Sequence, residues 1–204
     1  MKSIRKIIAD AFHYFTRWGF GSKKWKKRFS YFGEGAKIGY PASILGYEKI
    51  SIGDETVILD HSRIMNFSAN GNTHQSPPPF GIYIGKHCFL GYYLTILNAS
   101  SVTIGNDVLF ASHVMISSEN HGMNPESEQS YMAQPLETKP VNIGDGCWIG
   151  EKVCILPGVN IGKKCIIGAG SVVAKSIPDY SIAVGNPARV IKRYNFNTHN
   201  WDRV

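Results

Sequence analysis

Seven histidines occur in the 204-residue chain, and His121 stands apart from the rest. It sits in the polar run Ser117-Ser118-Glu119-Asn120-His121-Gly122, directly before a long polar stretch at residues 122–140. An imidazole titrates near neutral pH, so a histidine at such a loop root can take up and return a proton during a reaction. A base of this kind needs a partner to fix its tautomer. Glu119, Asn120 and Asn98 are near it in the register of the chain, and the residues alone do not choose among them. No Ser-His-Asp order accompanies it. His113, eight residues upstream, reads as an outward-facing polar residue, and His13, His61, His74, His87 and His199 belong to no motif.

The elements that must hold His121 follow from a period of six. Ile143, Ile149, Ile155, Ile161, Ile167 and Val173 are all Ile or Val at every sixth position. A helix repeats its apolar residues at three and four, and a half-buried strand at two. A sustained six predicts a parallel β-helix, in which each hexapeptide lays one edge of a triangular coil and stacked coils bury an apolar axis. The residue four after each aliphatic is small or apolar (Cys147, Val153, Val159, Cys165, Ser171, Ile177), and glycine usually follows the aliphatic, where a Cβ would crowd a corner. The repeat extends back through Ile104, Phe110 and Ile116, through Ile84, Leu90 and Ile96, and through Ile52, Ile58 and Ile64. Ile38 and Ile44 read as an incomplete first coil. Two insertions interrupt it. Residues 70–83 carry Pro77-Pro78-Pro79, which cannot ladder, and residues 122–140 carry Pro125, Pro135 and Pro140. In a rigid solenoid such insertions are expected to project sideways and shape a binding face.

Composition suits one domain, with 43% hydrophobic residues and no run long enough to span a membrane. Asp10, His13 and Arg17 break the N-terminal apolar stretch, so no secretory signal is expected. Cys88, Cys147 and Cys165 take the small inward position and Cys154 lies one residue off it, which reads as reduced thiols in a cytoplasmic protein. The net charge of +7 resides at the start: residues 1–30 hold nine Lys or Arg against Asp10 alone, leaving −1 for the remainder. Ile4, Ile7, Ile8, Ala11, Phe12, Phe15 and Trp18 recur at helical spacing, which predicts an amphipathic helix over 3–18. It either caps the open end of the β-helix or lies on an anionic membrane. Nucleic-acid binding is not expected, because no recognition fold surrounds these charges.

The run from Val141-Asn142-Ile143-Gly144-Asp145-Gly146-Cys147-Trp148-Ile149-Gly150 through Ile155-Leu156-Pro157-Gly158 and Ile167-Gly168-Ala169-Gly170 to Gly185-Asn186-Pro187-Ala188-Arg189-Val190-Ile191-Lys192 resembles the hexapeptide-repeat acyltransferases. More narrowly it resembles the O-acetyltransferase branch of galactoside, maltose and surface-polysaccharide acetyltransferases, over about residues 38–193. The resemblance implies a left-handed coil and a homotrimer with active sites between subunits. It implies acetyl-CoA as co-substrate, no metal, a sugar or glycan acceptor, and His121 as general base for direct attack on the thioester. Glu119, Asn120 and Asn98 stay open as the group that orients that base. On the donor side it places Gly150, Glu151, Gly168 and Ala169 along the pantetheine arm with Trp148 flanking it. Ala174 and Lys175 fall at the nucleotide end, where Ala174 lacks a hydroxyl usual in the family, and Arg189 and Lys192 fall near the phosphates.

On the acceptor side the family's sugar-contacting Asn and Asp positions are held here by Gly91 and Ala99, which argues against simple galactosides. Asn98 is the candidate substitute, and Tyr92 and Tyr93, with residues 70–83 and 122–140, are expected to line the cleft. Three segments result: a basic amphipathic stretch at 1–30, an all-β left-handed solenoid at 31–193 and a tail at 194–204. The expected function is acetyl transfer to a surface-polysaccharide or lipid-linked glycan precursor, peripheral to the inner membrane face. N-acyl transfer to an amino sugar and a non-catalytic scaffold are the alternatives. A γ-class carbonic anhydrase is disfavoured, since two of its zinc-binding histidines lie five apart and His113 and His121 lie eight apart.

Overall fold

The computed structural model describes residues 26–67 and 80–204. The expected helix at 3–18 and residues 70–79 of the first insertion lie outside the described residues.

Three parallel sheets wrap a single apolar axis. The first face begins at Tyr31–Phe32 and continues through Ile50–Ile52, Gly81–Ile84, Ser101–Ile104, Val141–Ile143 and Asn160–Ile161. The second runs from Lys37–Ile38 through Val57–Ile58, Phe89–Leu90, Leu109–Phe110, Trp148–Ile149 and Ile166–Ile167 to Ser181–Gly185. The third holds Ala42–Leu45, Ser62–Asn66, Thr95–Asn98, Met115–Ser117, Cys154–Ile155 and Val172–Val173. Successive aliphatics of the hexad fall on successive faces, so each column stacks like on like. Ile104, Ile143 and Ile161 are in register on the first face, Phe110, Ile149 and Ile167 on the second, and Ile116, Ile155 and Val173 on the third. These side chains are at most 2% exposed, and each contributes on the order of 1.5–3 kcal/mol by burial. The first coil is more complete than the hexad suggests, because Phe32 pairs with Ile52 and begins the first column.

Corner glycines answer to the coil stacked beside them. A Cβ on Gly91 would lie 2.6 Å from the backbone carbon of Ala111. At the corner between the first and second faces, Asx side chains cap the amides of the neighbouring coil. Lys86 donates its amide to Asn106 (2.9 Å), and Asn106 donates to Asp145 (2.6 Å). Asp54 accepts the Glu34 amide and the Tyr31 hydroxyl (2.6 Å) and pairs with Lys86 at 2.8 Å. The bonds from Lys86 and Tyr31 lower the Asp54 carboxyl to about 2.

Nearly all variation in coil length collects at one corner, where the third face passes to the first. The 3-10 turn Tyr47–Lys49, the insertion after Asn66, the link between Asn98 and Ser101 and the excursion at 118–140 all leave from it. A buried ladder stitches that corner together. Asn98 donates to Asn66 (3.0 Å) and to the Ser100 carbonyl (3.2 Å), and accepts from Ser118 (2.6 Å). The Ser118 hydroxyl in turn accepts the amides of Ala99 and Ser100.

Within residues 194–204 the chain turns at 196–199 and returns as the strand Asn200–Arg203. After the cis Asn186-Pro187 bond the chain reverses, and Ala188–Asn195 pairs antiparallel with Ser181–Gly185 and then with Asn200–Arg203. These two strands complete the second face as a nine-stranded sheet. Ring contacts pin the return, with Tyr194 against Trp201 at 5.3 Å and Tyr180 against Phe196 at 4.8 Å. Among the described residues no helix is long and apolar enough to cross a membrane.

Candidate active site

His121 leaves the variable corner at the root of a loop that is itself well built. The short antiparallel pair Glu119–Asn120 and Glu137–Thr138 zips its base, and the Lys139 amide bonds the Ser118 carbonyl at 2.9 Å. Inside the loop the buried Gln134 accepts the Asn124 amide (2.9 Å) and donates to the carbonyls of Asn124 (3.0 Å) and Gln129 (3.2 Å). Gly122 packs so close to Gln134 that a Cβ there would come within 2.7 Å of it. The imidazole of His121 is exposed and makes no hydrogen bond or ion pair among the described residues. Both ring nitrogens are thus open to a substrate.

The two side chains proposed to assist it occupy different environments. Glu119 is half-buried; its backbone is held by Ser117, whose hydroxyl donates to the Glu119 carbonyl at 2.7 Å, while its carboxylate has no partner among the described residues. Asn98 is fully buried, and its amide is spent on Asn66, Ser100 and Ser118. It neither bonds His121 nor faces solvent, so the expectation that it meets a substrate gives way to a role in holding the corner from which His121 emerges.

The donor-side residues gather on the opposite margin of the third face, at the corner with the second. The amides of Gly150 and Gly168 are committed to the carbonyls of Ile167 and Ala183, each at 2.9 Å. One residue further on, the amides of Glu151 and Ala169 have no acceptor among the described residues. The Glu151 carboxylate is turned to the neighbouring coil, where it accepts the Ser112 amide at 3.0 Å. The fold thus leaves two backbone donors unspent on adjacent coils. Trp148 projects from the second face, 52% exposed, in register with Leu109 and Ile166. Arg189 is exposed and Lys192 half-buried on the added strand. Ala174 and Lys175 are exposed at the variable corner instead, on the sixth coil.

The acceptor candidates are not brought together. Gly91 is buried in the stack; Tyr92 is half-buried, and burial raises its phenol. Tyr93 lies between two imidazoles, 4.9 Å from His61 and 4.7 Å from His113, all three at positive φ. This stack sits at the donor-side corner. His113, read from sequence as an outward polar residue, is one plate of it; only the stacking of corners shows that rings at positions 61, 93 and 113 would meet. Gly91, Tyr92 and Tyr93 therefore lie across the third face from His121. A hexapeptide edge spans at most about 20 Å.

All four cysteines are free; Cys88, Cys147 and Cys165 are buried and Cys154 is half-buried. Among the described residues no group of His, Cys, Asp and Glu is arranged to hold a metal.

The repeat, the loop-borne histidine and the unspent amides define a hexapeptide transferase architecture. Residues 140–175 match the family model described as bacterial transferase hexapeptide (six repeats). The chain is 39% identical over 153 residues to YJL218W of Saccharomyces cerevisiae, a protein provisionally named an acetyltransferase, over 72% of this chain and 76% of that protein. It is 39% identical over 131 residues to WbbJ of Escherichia coli, provisionally named a lipopolysaccharide biosynthesis O-acetyl transferase, over 60% of this chain. That match takes in 66% of WbbJ, just under two thirds of its length. Among solved structures it is similar to a mutant of AntD, an N-acyltransferase from Bacillus cereus in complex with dTDP-4-amino-4,6-dideoxyglucose and Coenzyme A. The TM-score is 0.73 at 22% identity, covering 88% of this chain and 92% of that one. This likeness speaks for the fold and implies that the β-helix winds left-handed. The chain belongs to the hexapeptide-repeat acetyltransferase family.

Proposed function

We propose that the protein is an acetyl-CoA-dependent O-acetyltransferase acting on a sugar hydroxyl of a surface-polysaccharide or lipid-linked glycan precursor. The observation that carries this reading is the exposed imidazole of His121, held on a zipped loop with both nitrogens open. In the step we propose, His121 takes the hydroxyl proton as the sugar oxygen bonds the thioester carbonyl carbon. The tetrahedral species then collapses with cleavage of the C–S bond, and His121 returns the proton to the leaving thiolate. General base catalysis of this kind is worth about 10²- to 10⁴-fold. Glu119, with its uncommitted carboxylate, is the group proposed to orient the ring. No metal enters the step.

The donor lies against the amides of Glu151 and Ala169, with Trp148 flanking the pantetheine and Arg189 and Lys192 toward the nucleotide. Because His121 and these amides leave opposite margins of one face, the site is completed by a neighbouring copy in a homotrimer. Tyr92 and Tyr93 reach the acceptor from that copy. The name carried by WbbJ supports transfer to oxygen and a polysaccharide acceptor. The basic segment at 1–30 is proposed to hold the protein at the inner membrane face, as a peripheral cytoplasmic enzyme.

N-acyl transfer is the second reading, favoured by the likeness to AntD. Release of CoA is measured with a panel of glycan and amino-sugar acceptors, and the product is treated with hydroxylamine, which cleaves an ester far faster than an amide. An ester product supports the first reading and an amide the second. Failure to bind acetyl-CoA at all would sink both and favour a scaffold.

A further inference from the structure

The last strand places two cations face to face on the donor side of the molecule. On the second face Ser181 and Ala183 are fully buried, so the intervening Ile182 points outward. Ile182 is in register with Ile166, and Ile166 with Trp148, which puts all three on one outer column. Lys192 lies directly opposite Ile182, and Arg203 directly opposite Lys192. Cross-strand partners share a face of the sheet, so Lys192 and Arg203 stand side by side at the end of the column that carries Trp148. Arg189, opposite the outward Val184, joins them. The other face of the same ribbon is arranged differently: Arg193 stands opposite Asp202.

Like charges directly opposite one another destabilise a ladder. Among the described residues neither Lys192 nor Arg203 has an ion-pair partner. A strand that accepts this repulsion on one face while balancing charge on the other is arranged for an anion. We infer that Arg203 belongs to the donor site, where it and Lys192 together bind a phosphate at the nucleotide end of CoA. Val184 leads from these cations back to the donor groove. It packs over Gly168, at whose position a Cβ would meet the Val184 side chain at 2.6 Å, and Gly168 adjoins the unspent Ala169 amide. The inference rests on the donor assignment made above and adds to it a residue outside the repeat.

Calorimetric titration of the full chain with CoA and 3′-dephospho-CoA tests it, using wild type, Arg203→Gln and Arg203→Lys. A charge-assisted contact to phosphate implies about a tenfold weaker Kd for CoA in Arg203→Gln, with Arg203→Lys intermediate. If the contact is to the 3′-phosphate, the difference between wild type and Arg203→Gln disappears with 3′-dephospho-CoA; if it is to the pyrophosphate, the difference persists. Because the substitution also relieves a repulsion, the ligand-free Tm of Arg203→Gln is expected to equal or exceed that of wild type, while the rise in Tm on adding CoA shrinks. Wild type and Arg203→Gln binding CoA equally would overturn the inference and leave the donor assignment standing. A lowered ligand-free Tm with unchanged affinity would also overturn it, in favour of a purely structural arginine. Wild type failing to bind CoA would defeat the donor assignment itself.

Discussion

Replacing Asn98 by leucine separates a structural from a catalytic role at the corner that carries His121. The side chain is fully buried and makes three well-formed hydrogen bonds, to Asn66, Ser100 and Ser118, with a longer one to the Gly81 carbonyl at 3.4 Å. Leucine is nearly the same size, so little of the effect is a cavity. It removes the donor to Asn66 and leaves the Ser118 hydroxyl proton without its acceptor. With about 1 kcal/mol for each ordinary bond and about 1–3 kcal/mol for a buried group left unpaired, the loss comes to roughly 3–5 kcal/mol. For a chain of this length about 2–4 °C is lost per kcal/mol, so Tm should fall by roughly 6–20 °C. Thermal unfolding by circular dichroism measures it, and transfer assays well below the lowered Tm should show activity substantially retained. Loss of activity with Tm held within about 2 °C would refute the reasoning and return Asn98 to the substrate.

Other outcomes follow from the same geometry. Gly150→Ala would press a Cβ to 2.6 Å from the Ala169 amide nitrogen and 2.8 Å from the Ile167 carbonyl oxygen, so a loss of about 2–4 kcal/mol in urea unfolding is expected. Gly170→Ala faces open space at φ +71° and should cost only about 1 kcal/mol, by the same measurement. Asp54 titrates below its unfolded value, so its contribution to stability is full above the ordinary carboxylate range and is lost as pH falls from there toward about 2. Thermal melts between those limits should show the wild type losing more stability than Asp54→Asn as pH falls. Trp148→Ala, at a half-exposed site, should leave Tm nearly unchanged and weaken acetyl-CoA binding about tenfold by calorimetry.

The axis of the fold was legible because a period of six writes the core directly into the chain. Ile143, Ile149 and Ile155 land on three successive faces, and the stack follows from repetition alone. The breaks were legible too, since proline cannot ladder, but that they share one corner with the shorter links at Gly46 and Ala99 emerges only when the coils are counted in register. Phe32-Gly33 starts the stack with an aromatic in place of the aliphatic that marks the later coils. The roles of Asn98 and Arg203 depend on which residue lies opposite in another coil or strand, and the insertions hide that register from a linear reading. The donor glycines were found through the family motif; that the free donors are the amides of Glu151 and Ala169, one residue on, required knowing where every neighbouring carbonyl points. Gln134, which holds the loop behind His121, carried no signal in the sequence at all.

The central claim is that His121 moves the proton during acetyl transfer, and a comparison of wild type with His121→Ala tests it most directly. Turnover with an accepted glycan and acetyl-CoA affinity are measured on the same preparations. The account predicts a fall in kcat of about 10²- to 10⁴-fold with the Kd for acetyl-CoA unchanged, because the imidazole acts on the proton in the transition state and is not one of the groups that hold the donor. Turnover that survives the substitution within a few-fold would contradict it, and the base would then have to be sought elsewhere on the variable corner.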